Sequence, residues 1–247
     1  MLFLFRRLRS SLLRKDKVWR YLAYAVGEIF LVVIGIYIAI QFNNWNEHKK
    51  QKAIVKTNIG ILIKTLQEDT TYYQDRLFNI DRHLDILKGY QERLIQPSAN
   101  KDTLIKIIRE EFRAGIVKVD RDHRDAYNSM TMSGEINYFD KALREEIFGL
   151  YTQHSVLTEE NNSHFFIYLD NLEVFSAKFG LTATSPFKSG PIAEAIWEDV
   201  DLRALAVAFQ PLYNTKRNHL NQVKNEVILV LEKTNALLIE LEQARDD

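Results

Sequence analysis

The longest apolar stretch of the chain predicts a transmembrane helix near the N-terminus. From Tyr21 the sequence reads YLAYAVGEIFLVVIGIYIAIQFNNW, and between Ile29 and Asn46 it contains no charged residue. The apolar part after Glu28 covers only about 21 Å at 1.5 Å per residue, against a hydrocarbon thickness of roughly 30 Å. We therefore predict that the span occupies residues 21–42 and that Glu28 lies inside it.

Two long helical repeats follow, one at each end of the remaining chain. In both, apolar residues recur at alternating steps of three and four, the pattern of a coiled-coil seam. The first repeat comprises Ile59, Leu62, Leu66, Tyr73, Leu77, Ile80, Leu84, Leu87 and Leu94, with Asp69 and Gln91 as polar interruptions. The second comprises Leu220, Val223, Val227, Val230, Thr234, Leu237 and Leu241. Two such helices most simply pack antiparallel in a bundle within one chain, and an intermolecular coiled coil is the alternative.

Turn and cap residues divide the segment between the two repeats. The first long helix should end near Gln96, because Pro97 disfavours the helical conformation of its predecessor. Pro211 then either kinks the last long helix or separates it from what precedes it. The shorter predicted helices cover about 102–114, 122–133 ending at Gly134, 140–179 ending at Gly180, and a last one from Pro191.

The predicted fold class is all-α. It consists of one N-terminal transmembrane helix followed by an antiparallel helical bundle with long first and last helices. The chain has only nine glycines and four prolines in 247 residues, too few for the turns of an all-β fold of this length.

Basic residues around the predicted span indicate its orientation. Before the span lie Arg6, Arg7, Arg9, Arg14, Lys15, Lys17 and Arg20, and after it lie Lys49, Lys50, Lys52 and Lys56. The positive-inside rule then keeps the N-terminus in the cytoplasm of a bacterial cell and places residues 43–247 on the periplasmic side of the inner membrane. We expect Trp19, Tyr21 and Trp45 to anchor the span at the two interfaces.

Residues 1–20 form a basic cytoplasmic segment with two interpretations. Leu4, Phe5, Leu8 and Leu12 recur at helical spacing, which predicts a short amphipathic helix lying on an anionic leaflet. A merely basic flank is the alternative. A cleaved signal peptide is disfavoured, because the apolar run is longer than usual for one and no small-x-small cleavage site follows it.

Glu28 and a row of small residues are the candidate functional positions of the span. An ionisable side chain inside a span costs about 2.5–3.5 kcal/mol on insertion scales and usually faces a partner or a polar cavity. Ala23, Gly27, Gly35 and Ala39 lie on one ridge at four-residue spacing, interrupted by Leu31. This small-xxx-small pattern permits close helix pairing, so we predict a protein partner or a second copy of the chain at this face.

Candidate chemistry in the rest of the chain is sparse. The chain has no cysteine and a formal net charge of zero, and its charges are interspersed, so neither thiol chemistry nor nucleic-acid binding is expected. Asp120, Asp122, His123 and Asp125 form the densest polar cluster, but intervening arginines neutralise it and it lacks the pattern of a calcium loop. No motif of a nucleophile, a phosphate loop or a metalloprotease is present. We therefore predict no catalytic, metal-binding or cofactor-binding residues.

The stretch from Tyr21 to Glu47 resembles the signature of a family of single-span Gram-negative membrane proteins that share a domain of unknown function. The residues that match this signature are Gly27, Glu28, Ile29, Gly35, Asn43, Asn44, Trp45, Asn46 and Glu47. A weaker likeness includes Ser133, Gly134, Leu143, Arg144 and Tyr151, whereas Thr152 replaces the second tyrosine of a pair that family members tend to carry. The resemblance implies a helical, membrane-anchored protein without known catalysis.

Three functions are compatible with these features. The first is a non-catalytic protein, anchored in the inner membrane, whose periplasmic bundle interacts with a protein partner or another copy. The second is an accessory subunit of an ion-coupled or transport complex that uses Glu28. The third is a ligand sensor, which would have to signal through a partner because only about 20 residues remain in the cytoplasm.

Overall fold

The computed structural model of the protein describes residues 15–119, 124–180 and 190–246, and these residues contain helices and no strand. The all-α prediction is therefore confirmed. The helices are α1 (Lys15–Leu94), α2 (Lys101–Lys106) with a π-helical extension (Ile107–Glu111), α3 (Asp125–Ser133), α4 (Lys141–Phe179), α5 (Pro191–Glu198) and α6 (Leu202–Asp246). A short 3-10 turn (Glu135–Tyr138) joins α3 to α4.

The chain divides into two compact units after Val55, and the first contains residues 15–55 of α1. This part of α1 carries an 18-residue window with a mean hydropathy of 2.2, and none of the window is buried. In the described part of the chain, it is the one helix long and apolar enough to cross a membrane. The prediction of a membrane-spanning helix is supported to that extent.

The second unit is a bundle of three long helices, residues 56–94 of α1 together with α4 and α6. The Lys224 ammonium lies 2.6 Å from the Asp81 carboxylate, and the Tyr213 hydroxyl donates a 2.9 Å hydrogen bond to the Leu87 carbonyl. As the α1 number rises the α6 number falls, so the first and last helices run antiparallel, as predicted. The most extensive backbone contact among the long helices, however, is between α4 and α6.

The predicted seams form the core of this bundle. Every residue of the second repeat is buried, and so are most residues of the first: Ile59, Leu62, Leu66, Tyr73, Ile80 and Leu87. Asp69 is buried at its seam position, whereas Gln91 is exposed and Tyr90 takes its place in the core. Because one chain buries both seams, the intramolecular bundle is favoured over the intermolecular coiled coil.

The caps follow the sequence closely. The Asp140 carboxylate accepts a 3.0 Å hydrogen bond from the Leu143 amide at the start of α4. Gly134 and Gly180, at φ 76° and 63°, terminate α3 and α4 in the left-handed region that glycine adopts at little cost. Pro191 occupies the first turn of α5.

Two predicted boundaries are wrong, and one of the two alternatives at Pro211 is excluded. The helix predicted over 102–114 ends at Glu111, because carbonyls of the following segment find tertiary partners: Tyr168 donates to the Ala114 carbonyl at 2.6 Å. α3 begins at Asp125 rather than at residue 122. Pro211 does not separate α6 from what precedes it, since α6 continues through this position.

Candidate functional site

The predicted site residues of the span lie along α1, and those whose side chains are described are exposed. A methyl group added at Gly27 or Gly35 would meet no atom within 4 Å. Glu28 and Ala39 are exposed, and Ala23 lies within the helix. Trp19, Tyr21 and Trp45 are likewise exposed. Helix pairing through the ridge and interfacial anchoring therefore stay predictions.

The polar cluster singled out in the sequence lies largely outside the described residues. Asp120, Asp122 and His123 lie outside the described residues, and Asp125 begins α3. Among the residues that are described, no group of three or more metal-ligating side chains comes together.

A pocket of about 300 Å³ in the second unit gathers positive charge instead. Its walls come from α1, the π-helical turn with the segment that follows it, and α6. The lining residues are Arg82, His83, Ile86, Leu87, Tyr90, Glu111, Phe112, Arg113 and Lys216. Four nitrogen bases therefore share one small pocket with a single carboxylate.

Lys216 is a buried cation held by the backbone beneath this pocket. Its side chain donates to the Arg113 carbonyl and, at 2.8 Å, to the Gly115 carbonyl. The ammonium also lies 4.9 Å from the centre of the Phe112 ring, within the range of a cation–π contact. Although only 3% of the residue is exposed, burial lowers its pKa only to about 8, so the ammonium stays mostly charged at pH 7.

The single carboxylate of the pocket is already paired. Glu111 accepts from Arg93 in an ion pair, and its carbonyl accepts a 2.8 Å hydrogen bond from Tyr90. By contrast, within the described part of the chain no ion pair joins Arg82 or Arg113 to a carboxylate. The pocket therefore has an excess of positive charge.

His83 reports this excess. Its pKa lies below the ordinary value of 6.5 because of burial first and then because of the positive charges of Lys216 and Arg82. At neutral pH the imidazole is consequently uncharged. It can donate or accept a hydrogen bond there without adding to the local charge.

A second pocket of about 450 Å³ is apolar and chemically plain. It lies between the end of α1, the turn before α2 and the start of α6, with Leu94, Leu104 and Phe209 in its walls. No residue with a charged side chain lines it. Its Tyr213 hydroxyl already donates to the Leu87 carbonyl. The groove accommodates apolar groups, but it offers no reactive side chain.

His219 is a buried histidine that lines neither of these two pockets. It is 0% exposed, and neither ring nitrogen has a hydrogen-bond partner among the described residues. Burial above all, and then His164 and Lys216, lower its pKa from 6.5 to about 4. The imidazole is therefore neutral in the folded protein at physiological pH.

This burial predicts a specific loss of stability in acid. Between pH 6.5 and about 4 the unfolded chain binds a proton at His219 that the folded chain does not bind. The contribution of His219 to the free energy of unfolding is therefore fully present above pH 6.5. It decreases as the pH falls toward 4, by about 3 kcal/mol in all. His219→Leu should remove this slope and, by removing two unpaired polar atoms, raise stability at pH 7 by about 1 kcal/mol.

Urea unfolding of the wild type and of His219→Leu between pH 4 and 8 measures this difference. The contributions of other titrating groups are the same in both proteins and cancel in the comparison. Parallel pH profiles for the wild type and His219→Leu would contradict the assignment.

Sequence reasoning missed the basic pocket, although one signal was present. Lys216 precedes Leu220 by four residues and follows Leu212 by four, so it continues the seam of α6 toward its N-terminus. A lysine in the register of a buried seam indicates a cation that needs partners inside the fold. Nothing in the local sequence indicates that Arg82 and Arg113 approach it, because they lie far apart along the chain.

No protein-family model, characterised protein or solved structure shows significant similarity to the chain. The family resemblance at residues 21–47 stays a prediction.

Proposed function

We propose that the chain is a non-catalytic protein, anchored in a bacterial inner membrane by residues 21–42, that presents its helical bundle to a protein partner in the periplasm. The observation that carries this proposal is the complete exposure of the apolar window on α1. An apolar surface of that extent is not stable in water and needs lipid or another protein to cover it. The basic flank before the span supports an N-terminus in the cytoplasm.

The bundle supports a role in interaction rather than in catalysis. Its buried interior consists of packed seams, and its candidate pockets contain charged or apolar walls without an arrangement of nucleophile and base. Exposed apolar side chains such as Phe78, Phe166 and Val174 lie on its surface. They offer contact area to a partner, and aromatic side chains are enriched at protein interfaces.

Membrane topology tests the proposal directly, since the chain has no cysteine and single-cysteine variants carry only one thiol. We expect Ser98→Cys, in the exposed turn after α1, to react with a membrane-impermeant maleimide in intact spheroplasts. Ser11→Cys, before the span, should react only after lysis. Both variants should remain in the membrane pellet after alkaline carbonate extraction. Labelling of Ser11→Cys before lysis, or release by carbonate, would overturn the proposed topology.

An accessory role in an ion-coupled or transport complex is the second candidate. The observation that favours it is the uncovered ridge of small residues beside the carboxyl group of Glu28. A multi-span partner would cover the ridge and pair with the carboxyl group. The two candidates differ at Glu28→Gln, which would disrupt recovery of a membrane partner only in the second.

A further inference from the structure

We propose that the basic pocket of the bundle is a binding site for a small organic dianion, a molecule that carries two negative charges as carboxylate or phosphate oxygens on a short carbon body. This site is independent of the anchor, because all of its walls belong to the second unit. The pocket itself carries the inference, through its charge, its shape and its rigidity.

The positive charge of the pocket favours a ligand with more than one negative group. Arg82 and Arg113 are permanent cations, and Lys216 is mostly protonated at neutral pH. Glu111 is the one acid in the walls, and Arg93 from outside the pocket pairs with it. Two guanidinium groups thus remain for a ligand, and the Lys216 ammonium, which is already bonded to two backbone carbonyls, adds its positive charge beneath them. A guanidinium group binds carboxylate or phosphate oxygens through two parallel hydrogen bonds, so these two anion types fit the donors present.

The shape of the pocket limits the size of the ligand. A volume of about 300 Å³ is at the lower end of the range for small-molecule sites. Ile86, Leu87 and the Phe112 ring supply apolar wall between the cationic groups. Bare inorganic ions leave such walls uncovered, whereas a short carbon body covers them. We therefore expect an organic dianion to bind more tightly than inorganic phosphate.

The backbone under the pocket is rigidly held before any ligand binds. Lys216 donates to the carbonyls of Arg113 and Gly115, and Tyr168 donates to the Ala114 carbonyl between them. Tyr90 in turn holds the Glu111 carbonyl at 2.8 Å. A wall that is already ordered loses little conformational entropy on binding, which favours affinity. The side chains of Arg82 and Arg113 themselves are exposed, so a ligand can reach them.

The test uses the full-length protein in a mild non-ionic detergent. Isothermal titration calorimetry with succinate, and separately with inorganic phosphate, is carried out at a constant ionic strength set with sodium chloride. We expect saturable binding of one succinate per chain and weaker binding of phosphate. The variants Arg82→Gln and Arg113→Gln should each weaken succinate binding by about tenfold or more, because each removes a charge-assisted contact. Arg203→Gln, an exposed arginine at the start of α6, is the matched control and should bind like the wild type.

The proposal would be overturned if the heat of succinate binding did not saturate. It would also be overturned if all three variants bound succinate with the affinity of the wild type. Because the substituted arginines are exposed, the variants should keep the circular dichroism spectrum of the wild type, so a loss of binding would not reflect unfolding.

His83 supplies a second readout within the same pocket. Four charged groups face it. They are Lys216 from α6, Arg82 from α1, Glu111 from the π-helical turn and Arg113 from the segment that follows this turn. A bound dianion offsets the positive charge that lowers its pKa, so the pKa should rise when succinate is present. Titration of the imidazole signals by NMR, with and without saturating succinate, measures the shift. An unchanged His83 pKa in the presence of bound succinate would place the ligand elsewhere and overturn the assignment.

Discussion

Replacing Val230 by aspartate is expected to unfold the helical bundle. Val230 is 0% exposed in the middle of the α6 seam, where residues of the same helix four positions away, such as Thr234, are also fully buried. An aspartate there places a carboxyl group among apolar side chains without a partner. The expected loss is about 4 kcal/mol or more of the free energy of unfolding. That is a large fraction of the 5–15 kcal/mol that is usual for a whole domain.

The neighbouring residue provides the matched control. Leu229 is 43% exposed, so Leu229→Asp introduces the same charge one residue away at a solvated position. It should change stability by no more than about 1 kcal/mol. Urea unfolding followed by circular dichroism in detergent compares the two variants. Equal losses would mean that the α6 seam does not face the core of the bundle.

Phe175→Ala should cost about 3–5 kcal/mol, the second largest effect that we expect. Phe175, on α4, is 1% exposed, and its ring centre lies 5.0 Å from that of Phe179 and 5.9 Å from that of Phe209. Phe209 in turn contacts Phe112, which forms a wall of the basic pocket. The truncation leaves a cavity where α4, α6 and the segment after α2 meet, and these elements cannot close it without moving their backbones.

Val174→Ala is the control for this substitution, because the adjacent residue is 71% exposed. It should lie within about 0.5 kcal/mol of the wild type. The midpoint of urea unfolding is again the measurement, and the slope of the transition should be the same in both variants if the denatured state is unaffected. A loss below about 1 kcal/mol for Phe175→Ala would show that the aromatic cluster is loosely packed.

The basic pocket and the anchor raise different biological possibilities. If the bundle binds a small dianion, the protein gains the input of a sensor, and the proposed protein partner becomes the recipient of the signal. If the pocket stays empty under all conditions tested, presentation of the bundle surface to a partner protein remains the simpler function. The succinate titration and the topology experiment separate these cases, because neither result depends on the other.

Local sequence patterns were sufficient to predict the helical elements and much of the core. Apolar residues at steps of three and four predicted a repeat from Leu220 to Leu241 whose positions are all buried in α6, because a helix must bury its apolar stripe whatever its partner is. Asp140, Gly134 and Gly180 marked helix ends through local hydrogen bonds and left-handed backbone conformations, which need no tertiary contact. The exposed apolar run of α1 was likewise evident from composition alone.

The meeting points of polar groups, by contrast, depend on long-range packing. The helix after residue 101 stops early because Tyr168 and Lys216, far away along the chain, bind carbonyls that a longer helix would have used itself. The same long-range contacts bring Arg82, Arg113 and Lys216 to one pocket. Periodicity describes the face of a single helix, but it does not specify which faces of three helices and an extended segment come together, because packing in three dimensions sets that choice.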